Sequence, residues 1–199
     1  MAILTGLGMH RPTRLLLGAL LVLSCSLGLG APASAKAQPP AVLEEYEAKA
    51  AFLFNFAKFV HWPQPTRAEE PLSIGIVGAN PFGATIHHLE ESSIGGRPVR
   101  VLFPENRDEI RACQVLFISR SESHRLPRWL ADLEARPVLT VSDMDDFAAR
   151  GGMIGLLLHN NRIRFEINLA AAQQAGLNIS SKLLGLAINA EDLMRERRP

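Results

Sequence analysis

The stretch that decides the fold runs from Leu72 to Gly83 and reads LSIGIVGANPFG. Its first six residues form a short apolar run, and the glycine- and proline-containing turn that follows leads into a predicted helix over 84–91. A strand that is apolar along its whole length is typical of a mostly parallel sheet covered by helices. This stretch therefore predicts an α/β fold.

The same alternation continues along the chain. We predict further strands over 99–103, 115–119 and 138–141, with helices over 106–112 and 126–135 between them. Strands that alternate with helices in this way predict a single domain with a mixed, mostly parallel sheet and helices on both faces.

A long apolar helix is predicted before the first strand, over 43–61. Only Glu47, Asn55 and Lys58 mark a narrow polar stripe along it. A helix that is apolar over most of its circumference must be buried on several sides, by its own domain or by a partner. Pro63 is predicted to end it, because the residue before a proline avoids the helical conformation.

The chain closes differently, with a predicted β-hairpin. Two strand-like runs, over 153–158 and 162–168, are separated by His159-Asn160-Asn161, and asparagine tolerates the left-handed conformation of tight turns. The second run alternates and so places Arg162, Arg164 and Glu166 on one face. These side chains could bind a ligand or a partner, although a solvated face explains them as well.

Two helices are predicted after the hairpin. Asn168 can cap the first, over 169–175, and Gly176 is placed to end it. Ser180 or Ser181 caps the second, which is predicted to reach about residue 193.

Residues 1–35 have the pattern of a signal peptide. Arg11 and Arg14 precede an apolar core over 15–23, and Ala33-Ser34-Ala35 is a small-residue cleavage site. A retained membrane anchor is the first alternative, but this core is only about half the ~20 residues that a transmembrane helix needs. A lipoprotein modified at Cys25 is the second.

We expect cleavage after residue 35, a linker over 36–42, one domain over 43–194 and a basic tail over 195–199. Two of the 21 basic residues lie in the leader, which leaves 19 against 20 acidic ones, so the exported chain is nearly neutral. Near-neutrality argues against nucleic-acid binding. Cys113 is then the one cysteine left, which excludes an intrachain disulfide, and we expect it to be a buried thiol.

The remaining motifs do not predict an enzyme, a cofactor or a metal site. Residues 78–83 have the glycine spacing of a phosphate loop, but Ala84 and Thr85 stand where a lysine and a hydroxyl are needed. His87 and Glu91 could share a metal ion, yet further ligands are missing nearby. A nucleophile elbow of the Gly-x-Ser-x-Gly kind is also absent.

One acidic cluster falls where α/β folds often bind ligands. Asp143, Asp145 and Asp146 follow the strand predicted over 138–141, and so lie at its carboxyl end. We expect these carboxylates to cap the helical turn that begins at Phe147.

Three blocks of sequence resemble the YfiR-like family of bacterial periplasmic regulatory proteins. They are KAAFLFNFAKFV over 49–60 with Trp62-Pro63, the stretch over 72–83, and a discontinuous C-terminal block over 151–155, 161–168 and 176–184. The resemblance covers essentially the whole chain after residue 35.

The resemblance implies a non-enzymatic periplasmic regulator that binds and represses the sensor domain of an inner-membrane diguanylate cyclase. It thereby implies control of cyclic di-GMP signalling and biofilm formation, release by an outer-membrane OmpA-like lipoprotein, and a homodimer. The best-known member has disulfides, which this chain cannot reproduce within one molecule.

We expect partner or ligand contacts at six positions, with no cofactor and no nucleic acid. Those positions are Asn55, Lys58, Phe59, Arg162, Arg164 and Glu166. The alternative function is a periplasmic solute-binding or accessory sensing module for a sensor kinase or another membrane receptor.

Overall fold

The computed structural model describes residues 41–63 and 70–196, all within one compact unit. The predicted signal peptide, the linker up to residue 40 and the tail from residue 197 lie outside the described residues. Within the described ranges, none of the helices is both long and apolar enough to cross a membrane.

The described chain alternates helices and strands. The α-helices are α1 Ala41–Phe59, α2 Arg107–Arg111, α3 Leu126–Asp132, α4 Leu169–Gln174, α5 Ser181–Leu184 and α6 Ala190–Glu196. The strands are β1 Val60–His61, β2 Leu72–Val77, β3 Ser93–Ile94, β4 Arg97–Leu102, β5 Val115–Ile118, β6 Leu139–Ser142, β7 Ile154–His159, β8 Arg162–Ile167 and β9 Asn178–Ile179. Two 3₁₀ segments, Gly83–Glu91 and Arg120–Glu122, complete them.

A seven-stranded sheet confirms the predicted α/β class. Its strand order is β3-β4-β2-β5-β6-β7-β8, and the neighbours from β4 to β7 are parallel. The edge strands β3 and β8 are antiparallel to their neighbours. The mixed, mostly parallel sheet with a C-terminal hairpin is therefore the predicted architecture.

Apolar clusters fill both faces of this sheet. On the first face, α1, α4 and α5 pack over the strands through residues such as Leu53, Ala172 and Leu183. On the second face, a smaller cluster includes Ile110 of α2 and Leu126 of α3. Helices thus cover both faces, as predicted, but no residue of β7 or β8 belongs to the second cluster.

The hairpin therefore has one face without a helix over it in the part of the chain that the structure describes. We call this surface the hairpin face, and cross-strand neighbours build it. Its members are Gly155, Leu157 and His159 of β7 with Glu166, Arg164 and Arg162 of β8.

The prediction for the first helix was right about its existence and wrong about its end. The helix stops at Phe59, because Val60 and His61 pair antiparallel with Ile179 and Asn178 in a separate two-stranded sheet. Val60 is buried there, so its side chain belongs to the core although its backbone is extended. Pro63 lies after this strand and is not the helix terminator.

The apolar surface of α1 is used largely inside the domain. Leu53 and Phe56 are wholly buried, and the Phe52 and Phe56 rings pack against Phe165 of β8 with centroids 5.8 and 5.1 Å apart. The domain itself therefore buries most of the apolar side chains of α1.

The last predicted helix is broken into α5 and α6. Between them, the Ile188 N–H donates to the Phe165 carbonyl (2.9 Å), and the Asn189 side chain bonds both the N–H and the carbonyl of Ile167 (3.1 and 2.8 Å). The helix is interrupted because these groups bond to the edge of β8 instead of continuing helical hydrogen bonds.

The turn and cap predictions around the hairpin are confirmed. Asn160 and Asn161 have φ angles of 50° and 57°, as a tight hairpin turn requires. The Asn168 side chain accepts a hydrogen bond from Ala171 N (3.0 Å), and Gly176 follows α4 with φ of 74°. Ser180, of the two candidates, caps α5 through Leu183 N.

Candidate functional site

A buried ion pair joins α1 to the carboxyl end of β6. Lys49 Nζ lies 2.6 Å from Asp143 Oδ2, and the Tyr46 hydroxyl donates to the same oxygen at 2.9 Å. The side chains of Lys49 and Asp143 are only 4% and 2% exposed. Charges removed from water in this way are stable only when they are paired and hydrogen-bonded. We call Tyr46, Lys49, Arg120 and Asp143 the Asp143 cluster.

The parallel strands bring the cluster together. Asp143 directly follows β6, and Arg120 follows β5 by two residues, so both lie at the carboxyl edge of the sheet. The Tyr46 ring meets the Phe82 ring edge-on (5.5 Å), and Phe82 packs in turn against Phe117 of β5 (4.8 Å). These two edge-to-face contacts connect α1 to β5.

Carboxylates on both sides of the cluster extend it into a row of alternating charges, with the buried Lys49 and Asp143 in the middle. Glu45 Oε1 lies 2.6 Å from Lys49 Nζ, one helical turn away. On the other side, Arg120 approaches the second oxygen of Asp143 (3.7 Å) and the exposed carboxylate of Asp145 (3.1 Å). The buried carboxylate of Asp143 is therefore placed between two cations.

Lys49 and Tyr46 keep their protons at neutral pH. Burial acts to lower the pKa of Lys49, but the hydrogen bonds that its ammonium donates to Asp143 and Glu45 outweigh this effect, and the pKa is raised above 10.5. Burial, and next the charge of Asp143, raise the pKa of Tyr46 above 10.0. A general acid or base needs a pKa near the working pH. Lys49 and Tyr46 are therefore suited to holding α1 on the sheet and not to moving protons.

The prediction that the three aspartates cap the turn at Phe147 was wrong, because none of the three carboxylates accepts a backbone N–H of that turn among the described residues. Asp143 points inward because Lys49 is available there, and the Ser142 hydroxyl oxygen instead accepts from Met144 N (3.1 Å). Asp145 and Asp146 are exposed. Sequence reasoning missed the pair, although a lysine outside the predicted polar stripe of an apolar helix was a signal that a buried acid had to face it.

A cavity of about 370 Å³ lies beside the cluster, against the hairpin face. Arg120, Asp145 and Glu166 line it together with residues 155–158 of β7. The Glu166 carboxylate lies directly over Gly155, where a Cβ atom would come within 3.0 Å of Glu166 Oε1. The cavity therefore connects the surface of the Asp143 cluster to one of the predicted contact residues.

The other predicted residues of the hairpin are exposed cations. Arg162 and Arg164 project from the hairpin face, opposite the buried side chain of Phe165. Neither guanidinium forms an ion pair with any residue in the described ranges. These two positive charges are therefore available to an external group.

The predicted contact residues of α1 lie on the other side of the sheet. Asn55 and Lys58 are on the solvent side of the helix, with Lys58 Nζ 5.5 Å from the Phe54 ring centre. Phe59 is half-buried against the core. Because α1 packs on the first face, these residues are separated from the hairpin face by the sheet. The structure does not bring the two groups into one site.

The glycine-rich turn packs as a structural connection. Gly78 has φ of 85°, and a Cβ there would come within 2.4 Å of Ser121 Oγ, so the turn is closed by the next loop. Ala79 N donates to the same hydroxyl (2.9 Å). The helix after the turn is the 3₁₀ segment Gly83–Glu91, whereas a phosphate loop leads into an α-helix.

Of the reactive side chains that the sequence analysis considered, His87 is paired and Cys113 is buried. His87 Nδ1 lies 2.9 Å from Glu90 Oε2, so its partner is Glu90 and not Glu91. Groups of three or more metal-ligating side chains do not occur among the described residues. Cys113 is buried, and burial raises its pKa to about 12, which makes it an unreactive thiol.

One comparison with known proteins bears on this geometry. A family model described as YfiR/HmsC-like matches residues 46–188. The matched segment begins at Tyr46 of the Asp143 cluster, includes the whole hairpin and ends at Ile188, which bonds the edge of β8.

Proposed function

The chain belongs to the YfiR/HmsC-like family, and we propose that it is a non-enzymatic protein that binds and represses the sensor domain of an inner-membrane diguanylate cyclase. Proteins of this family are periplasmic, and they are known as regulators of cyclic di-GMP cyclases rather than as catalysts. Repression of such a cyclase lowers cellular cyclic di-GMP and so restrains biofilm formation.

The observation that carries the proposal is the pair of unpaired cations on the hairpin face. Arg162 and Arg164 lie on a paired strand of the hairpin, and nothing in the described chain neutralises them. Arginine is favoured at protein interfaces because its guanidinium is planar and carries several hydrogen-bond donors. We therefore assign the hairpin face, with Glu166 at its rim, as the contact for the sensor domain.

The opposite side of the sheet offers a second surface. Asn55, Lys58 and Phe59 lie there, so a second protein could bind without competing for the hairpin face. We assign this surface to the homodimer contact or to an outer-membrane OmpA-like lipoprotein that relieves repression. Export by cleavage after Ala35 belongs to the same proposal.

The test is cellular cyclic di-GMP in a strain that lacks the gene. We expect its level to rise and the wild-type gene to restore it. A gene carrying Arg162→Glu and Arg164→Glu should fail to restore it at equal protein abundance. The matched control reverses two exposed arginines elsewhere, Arg128 and Arg136, and should restore it fully. An unchanged level after deletion would contradict the proposed repression.

The cavity beside Glu166 favours a second candidate, an accessory sensing module for a sensor kinase or another receptor. Its volume of about 370 Å³ and its mixed charges suit a small polar solute. Screening small zwitterions by thermal shift tests this candidate. It predicts a ligand that raises the melting temperature of the wild-type protein and has no effect on Glu166→Gln.

A further inference from the structure

We propose that the open edge of β8 binds an extended segment of the partner protein, with acidic side chains at alternate positions, as an added strand. The proposal rests on the proposed function, since it describes how the partner is held. It goes further by naming the backbone groups involved and the sequence pattern that they select.

The backbone of β8 alternates between two directions. Phe165 and Ile167 direct their peptide groups away from β7, since their bonds run to Ile188 N and to the Asn189 side chain. Those bonds close the second half of the edge. In an antiparallel strand, every second residue has the same orientation. Ile163 therefore also directs its N–H and carbonyl outward.

The first half of this edge is open. The N–H and carbonyl of Ile163 and the N–H of Phe165 have no hydrogen-bond partner among the residues that the structure describes. β8 is the last strand in the sheet order, so these groups face away from the sheet. Three free backbone groups in a row are the template that strand addition uses.

Apolar surface lies at both ends of this open edge. Leu158 and Ile163 form a groove of about 300 Å³ with Val42 at the start of α1, and the lining of this groove also includes Glu44 and Glu45. Ile188, which is 53% exposed, lies at the other end where it bonds Phe165. A strand added here would cover these side chains with every second residue of its own.

The arginines select the other residues of the added strand. Arg162 and Arg164 flank Ile163 and share the face opposite its side chain. Opposite charges directly across neighbouring strands stabilise their pairing, whereas like charges oppose it. The favoured segment therefore alternates acidic residues, which face the arginines, with apolar residues, which face the groove.

A second copy of β8 does not fit this description. Antiparallel pairing centred on Ile163 would place Arg162 of each copy directly opposite Arg164 of the other copy. Pairing one register further places the two copies of Arg164 opposite each other and needs the Phe165 carbonyl, which already accepts from Ile188 N. Charge and hydrogen bonding thus direct the edge toward a different, acidic chain.

The test begins with random dodecapeptides displayed on phage and selected against the full exported protein. We expect selected peptides to carry Asp or Glu at alternate positions. Ile163→Pro removes an N–H that the fold does not use, and proline is tolerated at such an edge position. Ile163→Ala is the matched control, because it shortens the same side chain and keeps the N–H.

We expect Ile163→Pro to bind the best selected peptide about tenfold more weakly than Ile163→Ala. Peptide should also slow amide hydrogen exchange at Ile163 and Phe165 of the wild-type protein, a result that does not depend on any variant folding. Selected peptides without acidic alternation, equal binding by the two variants, or unchanged exchange would overturn the proposal.

These outcomes are separable from those of the cellular test. Acidic peptides that bind the edge while deletion leaves cyclic di-GMP unchanged would overturn the repressor function and support the edge site. Restored repression by Ile163→Pro would overturn the edge site and leave the repressor function standing.

Discussion

Replacing Asp143 by asparagine should destabilise the protein strongly. The change removes the negative charge opposite Lys49, whose side chain is 4% exposed and cannot reach water without moving α1. Removing one partner of a buried ion pair costs about 3–5 kcal/mol, because the other charge stays buried without compensation. Glu45, at 2.6 Å, keeps part of the compensation, so we expect a loss of about 3 kcal/mol, at the lower end of this range.

The assay is urea unfolding followed by tryptophan fluorescence. A loss of about 3 kcal/mol corresponds to a drop of about 6–12 °C in melting temperature for a domain of this size. Asp145→Asn is the matched control, since it removes a carboxylate of the same loop whose side chain is 86% exposed. Exposed pairs contribute about 0–1 kcal/mol, so this variant should unfold nearly as the wild type does.

A double variant isolates the pair itself. Lys49→Met in the Asp143→Asn background removes the stranded cation, so the double variant should be more stable than Asp143→Asn alone, by about 1–3 kcal/mol. Two results would refute the reasoning: a loss under about 1 kcal/mol for Asp143→Asn, or a double variant that is less stable than either single one.

Three further predictions concern a buried thiol, a residue of the hairpin turn and a closely packed glycine. Burial raises the pKa of Cys113 from 9.0 to about 12, so the thiol of the unfolded chain loses its proton at lower pH than the thiol of the folded chain. The free energy of unfolding should therefore fall by about 1.4 kcal/mol per pH unit above pH 9. Urea unfolding from about pH 8 to 10 should show that Cys113→Ala removes this dependence on pH. Asn161→Ala should cost about 1 kcal/mol in urea unfolding, because residue 161 has φ of 57°. Gly152→Ala should cost about 1–3 kcal/mol or prevent folding, since its Cβ would come within 2.2–2.4 Å of the Phe147 ring; a melting temperature equal to that of the wild type would contradict this.

Local signals in the sequence were sufficient for most of the sheet. The run over 72–77 is apolar on both faces and lies between chain turns, so β2 was predicted with the bounds that it has. The hairpin turn at Asn160 and Asn161 was equally local, because two left-handed residues in a row leave few alternatives to asparagine and glycine.

The errors came from contacts between distant parts of the chain. Val60 and His61 continue a helical pattern in sequence, yet they form a strand because Asn178 and Ile179 are there to pair with. The break before α6 likewise depends on the edge of β8, where Asn189 replaces a missing strand. Pattern and propensity do not carry this information, since the partner lies far away in sequence.

The candidate site was predictable only in part. Alternation along β8 placed Arg162 and Arg164 outward, which needed nothing beyond the two-residue period of a strand. The Lys49–Asp143 pair required knowing that α1 crosses the end of β6, and no spacing within either segment shows that. Asn55 and Lys58 were correctly seen as polar positions on α1, and their role in partner contacts remains a prediction.

The contacts of α1 also determine the order in which this chain can fold. Tyr46 meets Phe82 early in the chain, but Lys49 meets Asp143, Phe56 meets Phe165 and Val60 pairs with Ile179, so the first helix finds several of its partners only in the last third of the sequence. Closing such long loops is slow, because their entropy is lost before the contacts form. A nascent chain that ends before β7 would leave Phe52 and Phe56 without the Phe165 ring. Part of the helix that is made first is therefore covered late, and during that interval its exposed phenylalanines are a target for a chaperone.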